Sequence, residues 1–148
     1  MWRSPAHPFS IVGIDGRSLD EEWSSGAYAY KSVNVAGYPN LFFTFGPNSG
    51  PGQNSALMYM EAQIDYAVQA IRAMRRWNLK YLDVRENAQR SFNDALQKRL
   101  AKTTGNSECR TWYLTEDGFN ATMYPRFATQ YVKQMADVRF QDYHAVAR

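Results

Sequence analysis

The chain has 148 residues, one domain's worth, enough for a core but short enough that burial on folding is only moderate. Hydrophobic residues at 45% make the composition globular and not disordered, and a net charge of +3 is too mild to point to nucleic acid. One cysteine (Cys109) excludes a disulfide framework and a cysteine-rich zinc site, while His7 and His144 lie near opposite termini and form no metal-ligating pattern.

Residues 1–10 carry Pro5 and Pro8 and read as irregular. Phe9–Val12 is expected to be a short strand, followed by a tight turn at Asp15–Gly16 and a helical turn in "LDEEW" anchored by Trp23. "SVNVAGYPN" alternates Val33 and Val35 and then turns through Gly37–Asn40. Leu41–Phe45, "LFFTF", is apolar on both faces and bounded by turn signals, the pattern of a strand buried between two layers. Its partners in a sheet are not evident in the chain, which suggests that the rest of the sheet lies elsewhere.

After the loop "GPNSGPGQNS", Leu57, Met60, Ile64, Ala67, Val68, Ile71 and Met74 recur at three- and four-residue steps. That spacing predicts a long helix with one apolar stripe, capped by Asn54 or Ser55. The loosely clustered Arg72, Arg75, Arg76, Lys80 and Arg85 suit the end of that helix, where cations complement the dipole. Asp83 followed by Glu86 predicts the start of a second helix, with Val84, Ala88, Phe92, Ala95 and Leu96 on one side and Gly105 as a stop. "TWYLT", a turn at Glu116–Gly118 and "FNATMY" read as a β-hairpin, and Phe127, Tyr131 and Met135 mark a last short helix. No apolar run approaches the roughly 18 residues of a membrane span, so the expectation is a cytoplasmic, membrane-free protein.

A glycine loop between a strand and a helix is where backbone can approach an anionic or electron-rich group. This loop has no P-loop lysine and no G-x-G-x-x-G, so a plain connection remains an open alternative.

"GYPNLFFTFGPNSGPGQNSALMYMEAQIDYAVQAI" resembles the closing segment of the class B flavoprotein monooxygenases, the Baeyer–Villiger and flavin-containing monooxygenase group. "IVGIDGRSLDEEW" is similar to the stretch before it, and "CRTWYLTEDGFNATMYPRF" and "VRFQDYH" are similar to the family's late segments. The similarity runs in order from about Ile11 to Tyr143. It implies an α+β fragment: the C-terminal part of a Rossmann-like flavoprotein with two dinucleotide-binding domains. Residues 1–80 would complete the FAD-binding domain, and residues 81–148 would form a helix–hairpin–helix extension.

The resemblance also implies roles. Gly46, Pro47, Asn48, Ser49, Gly52, Asn54 and Ser55 would lie against FAD, with the helix after Ser55 aimed at the flavin's pyrimidine edge. Trp112 and Tyr113 would fall on the NADPH or substrate side, with a buried hairpin aromatic as the plainer reading of Trp112. Gln53 stands where the family commonly has histidine, and neither G-x-G-x-x-G fingerprint is present. The parent would use FAD and NADPH to insert one oxygen of O2 into a ketone or soft heteroatom. The expectation for the chain alone is no bound cofactor, no catalytic residue of its own and no turnover. Its partner would be the missing N-terminal FAD/NADP-binding part, on the same or a separate polypeptide; exposed strand edges would favour a homodimer. The alternative is a non-catalytic binding or assembly module derived from the same fold.

Overall fold

A computed structural model describes residues 9–50, 55–102, 114–115 and 118–148. Four helices occur among them: α1 (Leu19–Glu22), α2 (Ala56–Arg76), α3 (Glu86–Leu100) and α4 (Ala128–Met135). Strands β1 (Leu79–Val84) and β2 (Tyr143–Ala147) pair antiparallel. The fold is α+β, with one two-stranded sheet among the described residues.

Ser18 caps α1, its Oγ accepting from the Glu21 amide, and Trp23 closes the turn as a buried anchor. The expected first strand reduces to one bridge, Val12 to Ser18. Helix α2 begins at the capping Ser55 and ends where Asn78 takes a left-handed conformation (φ 50°), a common way to stop a helix and turn the chain. The chain then runs directly into β1. This strand is not apparent in the sequence, because its Lys80 and Asp83 interrupt any apolar alternation.

Asp83 does not cap the second helix. It lies in β1, where its carboxylate accepts the Gly37 amide at 3.0 Å, and α3 starts after Arg85 without a side-chain cap. The inward face of α3 is Gln89, Asn93, Leu96 and Leu100, with Ala88 and Phe92 half-buried; Ala95 is exposed and Val84 belongs to β1. Helix α4 forms as expected, although Phe127 sits at its N-cap, largely exposed. Of the hairpin, the described residues show the Leu114–Asn120 bridge and a tight turn in which Thr115 N–H donates to the Phe119 carbonyl at 2.9 Å. "TWY" and Gly105 lie outside the described residues.

Two apolar clusters hold these pieces together. The larger joins α2, α3, α4 and both strands through Tyr59, Tyr66, Leu82, Val84, Leu96, Leu100, Tyr131 and Tyr143. Three of its rings pack closely, tilted or edge-on: Tyr131 lies 4.7 Å from Tyr59 and 4.9 Å from Tyr124. The smaller cluster packs Leu19, Trp23, Val35 and Tyr38 beneath Leu41 and Phe43.

Two expectations are corrected here. Leu41–Phe45 is not a strand. It makes isolated bonds instead: Phe43 N–H to the Val33 carbonyl at 2.8 Å, and Asn34 Nδ2 to the Leu41 carbonyl at 2.7 Å. Its side chains still fill both clusters, but no neighbouring strand among the described residues supplies a ladder, and a positive φ at Phe45 (61°) ends the extended run. The second correction concerns α2. Its buried face is Tyr59, Ala62, Gln63, Tyr66 and Ala70, whereas Leu57, Ile64, Val68 and Ile71 from the expected stripe point to solvent.

Candidate functional site

The glycine loop is sewn to the segment that follows the hairpin turn. Asn48 N–H donates to the Ala121 carbonyl and Gly50 N–H to the Thr122 carbonyl, each at 2.8 Å; Tyr124 N–H returns to the Gly50 carbonyl at 3.1 Å. Asn48 Nδ2 adds bonds to the carbonyls of Asn120 (2.6 Å) and Met123 (3.1 Å), and Ser49 Oγ donates to the Gly46 carbonyl at 2.5 Å. Asn48 holds a left-handed backbone (φ 57°), which asparagine tolerates better than most residues. Gly46, Pro47, Asn48 and Ser49 are all buried by the chain itself.

Glycine is required at two positions here for packing. A Cβ on Gly46 would come within 2.1 Å of the Ser32 carbonyl oxygen, and one on Gly50 within 2.6 Å of the Thr122 carbonyl oxygen.

Gln63 sets the loop's other attachment, and the sequence reading missed it. Fully buried on α2, its Oε1 accepts the Phe45 amide while its Nε2 donates to the Tyr131 hydroxyl at 2.8 Å. Tyr131 in turn donates to the Lys31 carbonyl at 3.1 Å. One amide therefore ties the loop's entry to α2 and α4. The signal available was a glutamine one residue from Ala62 and three from Tyr66, on a face with no other amide. Gln63→Leu would leave the Phe45 amide without its acceptor and the Tyr131 hydroxyl without the donor it accepts from, at roughly 1–3 kcal/mol each. The expected result is a urea midpoint lowered by the equivalent of roughly 2–5 kcal/mol; an unchanged midpoint would show that the loop is held without it.

Lys31 is also nearly buried, with φ 51°. Its Nζ donates to the carbonyls of Gln134 (2.9 Å) and Asp137 (3.2 Å) at the end of α4 and lies 4.9 Å above the Tyr66 ring. Burial, and next the nearby Arg139, lowers its pKa to about 8. Its contacts assign it to closing α4.

The described part of the loop fits a flavin as one wall of a site. Asn48 Oδ1 is buried without a partner, an acceptor left over for a hydroxyl or N–H donor. At the start of α2, Ser55 already engages two amides, Leu57 through its Oγ at 3.3 Å and Met58 through its carbonyl at 3.2 Å. Three cavities among the described residues are lined neither by Gly46–Ser49 nor by Ser55. Gly52, Asn54, Trp112 and Tyr113 lie outside the described residues, as do Cys109 and His7. Among the described residues no cluster of three or more His, Cys, Asp or Glu side chains is placed to hold a metal, and no helix is long and apolar enough to cross a membrane.

The fold recurs in solved monooxygenases. An oxidised steroid monooxygenase bound to NADP superposes with a TM-score of 0.82 at 21% identity, covering 94% of this chain and 27% of that one. Cyclohexanone monooxygenase from Rhodococcus sp. Phi1, bound to NADP+, gives 0.76 at 16% identity over 95% of this chain and 27% of its own. No protein-family model matches. Among curated proteins, a Baeyer–Villiger monooxygenase of Pseudomonas aeruginosa is 40% identical over 82% of this chain, and an FAD-binding monooxygenase of Aspergillus niger is 33% identical over 93%. The chain belongs to this monooxygenase family, as the counterpart of a C-terminal segment, and it spans 23% of the length of each of those two relatives.

Proposed function

We infer that the chain is the flavin-flanking C-terminal segment of an FAD- and NADPH-dependent monooxygenase that inserts one oxygen of O2 into a ketone or a soft heteroatom. The 40% identity to the Pseudomonas Baeyer–Villiger enzyme across most of the chain carries this reading. Residues 1–80 then complete the flavin domain and residues 81–148 extend it. When bound, FAD supplies the redox chemistry, accepting hydride from NADPH and activating O2.

The chain's own contribution is a stiff wall. Gly46, Pro47, Asn48 and Ser49 are fixed from behind by the 120–124 segment and Gln63, and Ser55 sets where α2 begins. Such a wall holds a ring system in place and excludes water from one side. Gly52 and Asn54 would complete it, with Trp112 and Tyr113 on the NADPH or substrate side.

Affinity for FAD depends on the remaining walls. Titrating the 148-residue chain with FAD is expected to show no binding up to about millimolar, equivalent to roughly −4 kcal/mol, and no NADPH oxidation. Binding at about micromolar, roughly −8 kcal/mol, or NADPH-dependent turnover would overturn the inference that this segment is incomplete alone.

A further inference from the structure

A cavity of about 490 Å³ opens between the first two turns of α3, the end of α4 and the turn at Phe140–Asp142. Three cations line it, Lys31, Arg85 and Arg139, and among the described residues Asp142 is the one carboxylate in its wall. That carboxylate is already engaged: its Oδ2 accepts the Tyr30 hydroxyl at 2.5 Å and lies 3.5 Å from Arg139 Nε. Glu86, next to Arg85 in the chain, turns away to meet Arg17 at 3.1 Å, and Asp137 is not part of the lining. Positive charge is therefore in excess here, and cations gathered around one space repel until an anion enters.

The fold holds the donors in place. Arg85 is anchored twice to one turn: its amide donates to the Asp142 carbonyl at 2.8 Å and its Nε to the Gln141 carbonyl at 3.2 Å. The outer edge of its guanidinium is left for a ligand. Lys31, 5% exposed, spends two of its three ammonium donors on the carbonyls of Gln134 and Asp137. Burial and then Arg139 disfavour its charge, and an anion beside it would relieve both. In the same wall, Gln134 Nε2 is buried without a hydrogen-bond partner. Tyr30 and Phe92, edge to face at 5.6 Å, supply an apolar part of the lining.

We propose that this cavity binds a phosphate group, either the free ion or a monoester whose small body packs on Phe92. At neutral pH a phosphate monoester carries about −1.5 to −2 charges, which balances three cations set against one carboxylate; a carboxylate ligand would not. Its oxygens also match the arginine forks, which take phosphate in pairs of parallel bonds. Among the described residues none of the glycine loop lines this cavity, so the site is separate from the flavin wall and independent of it.

The test titrates the 148-residue chain at neutral pH with inorganic phosphate, phenyl phosphate and benzoate in turn, by calorimetry at about 0.15 M salt. Arg85→Gln with Arg139→Gln is compared with Arg72→Gln with Arg76→Gln, a pair that removes the same charge from the exposed end of α2. Phosphate is expected to bind with a Kd of about 1 mM or tighter. The cavity pair should weaken it about tenfold or more, and the α2 pair by less than about twofold. Arg139→Gln alone, at a side chain 59% exposed, should weaken it about threefold with the unfolding midpoint unmoved, so a loss of fold in the cavity pair does not hide the result. Tighter binding of phenyl phosphate than of inorganic phosphate would identify an ester as the occupant, and equal binding the free ion; both support the site. No binding of either up to about 10 mM, or the same loss from both pairs, would overturn it. Benzoate bound as tightly as phenyl phosphate would overturn the assignment to phosphate.

Discussion

Gly46→Ala is expected to destabilise the chain by about 3 kcal/mol or more in the absence of any flavin. The added methyl would stand 2.1 Å from the Ser32 carbonyl oxygen, 3.1 Å from its carbon and 3.0 Å from Phe43 Cβ. Relief requires backbone to move, and neither side is free to do so. Lys31 and Ser32 both hold left-handed conformations (φ 51° and 66°), and the buried ammonium of Lys31 is bonded to the end of α4. Across the contact, Phe43 is hydrogen-bonded to Val33 and packed on the smaller cluster. For a chain of this size the loss corresponds to roughly 10 °C in the unfolding midpoint. Gly50→Ala, with a 2.6 Å approach to the Thr122 carbonyl oxygen, should act in the same direction but less strongly. The measurement is a thermal scan of the cofactor-free chain. It tests the reason for a glycine in this loop: a loss in the free chain means that the residue makes room for Ser32, and an unchanged midpoint would mean that it does not.

The second large effect is unfolding at alkaline pH. Tyr66, Tyr131 and Tyr143 are almost completely buried, and each has a pKa raised far above the ordinary phenol value, chiefly by that burial. Tyr143 donates to Asn34 Oδ1 at 2.7 Å, its oxygen lies 2.9 Å from that of Tyr66, and Tyr131 donates to the Lys31 carbonyl. Ionising Tyr143 or Tyr131 would set a phenolate against the Asn34 or Lys31 oxygen to which it now donates. In the unfolded chain the same phenols lose their protons near pH 10. Above that point the native state holds more protons than the unfolded state, so stability falls as pH rises, by about 1.4 kcal/mol per unit for each tyrosine in the limit.

These three amount to roughly 4 kcal/mol per unit, and the buried Tyr30 and Tyr38, raised for the same reason, add to it, enough to exhaust the stability of a small domain within about two units. Lys31 has the opposite sign: with its pKa lowered to about 8, its contribution grows as pH rises from there toward the ordinary lysine value. The stability maximum is therefore expected between about pH 8 and 10. Far-ultraviolet dichroism and tyrosinate absorbance should change together in one cooperative step, and Tyr143→Phe should reduce the slope by about 1.4 kcal/mol per unit. Gradual tyrosinate formation with dichroism unchanged would show that the three hydroxyls reach solvent without unfolding.

The order of motifs from Ile11 to Tyr143 identified the family by sequence alone, because sequence motifs stay legible even in a chain that spans only part of its relatives' length. Helices α2, α3 and α4 were legible for a related reason: three- and four-residue periodicity is local, and Ser55 is a cap wherever the chain is placed. Which side of α2 faces inward was not legible. Both sides are apolar, and only the packing of Tyr59, Tyr66 and Tyr131 against one another selects between them. Strands β1 and β2 stayed hidden because their pairing joins distant segments, from Leu79 with Ala147 to Val84 with Tyr143, and alternation is broken by Lys80 and Asp83. The same distance in sequence concealed the roles of Gln63, which reaches Phe45 and Tyr131, and of Lys31, which reaches α4. Composition and motif order thus determined the kind of protein. Long-range contacts decided that Gly46 and Gly50 serve the chain's own backbone, and that an apolar face of α2 is left uncovered.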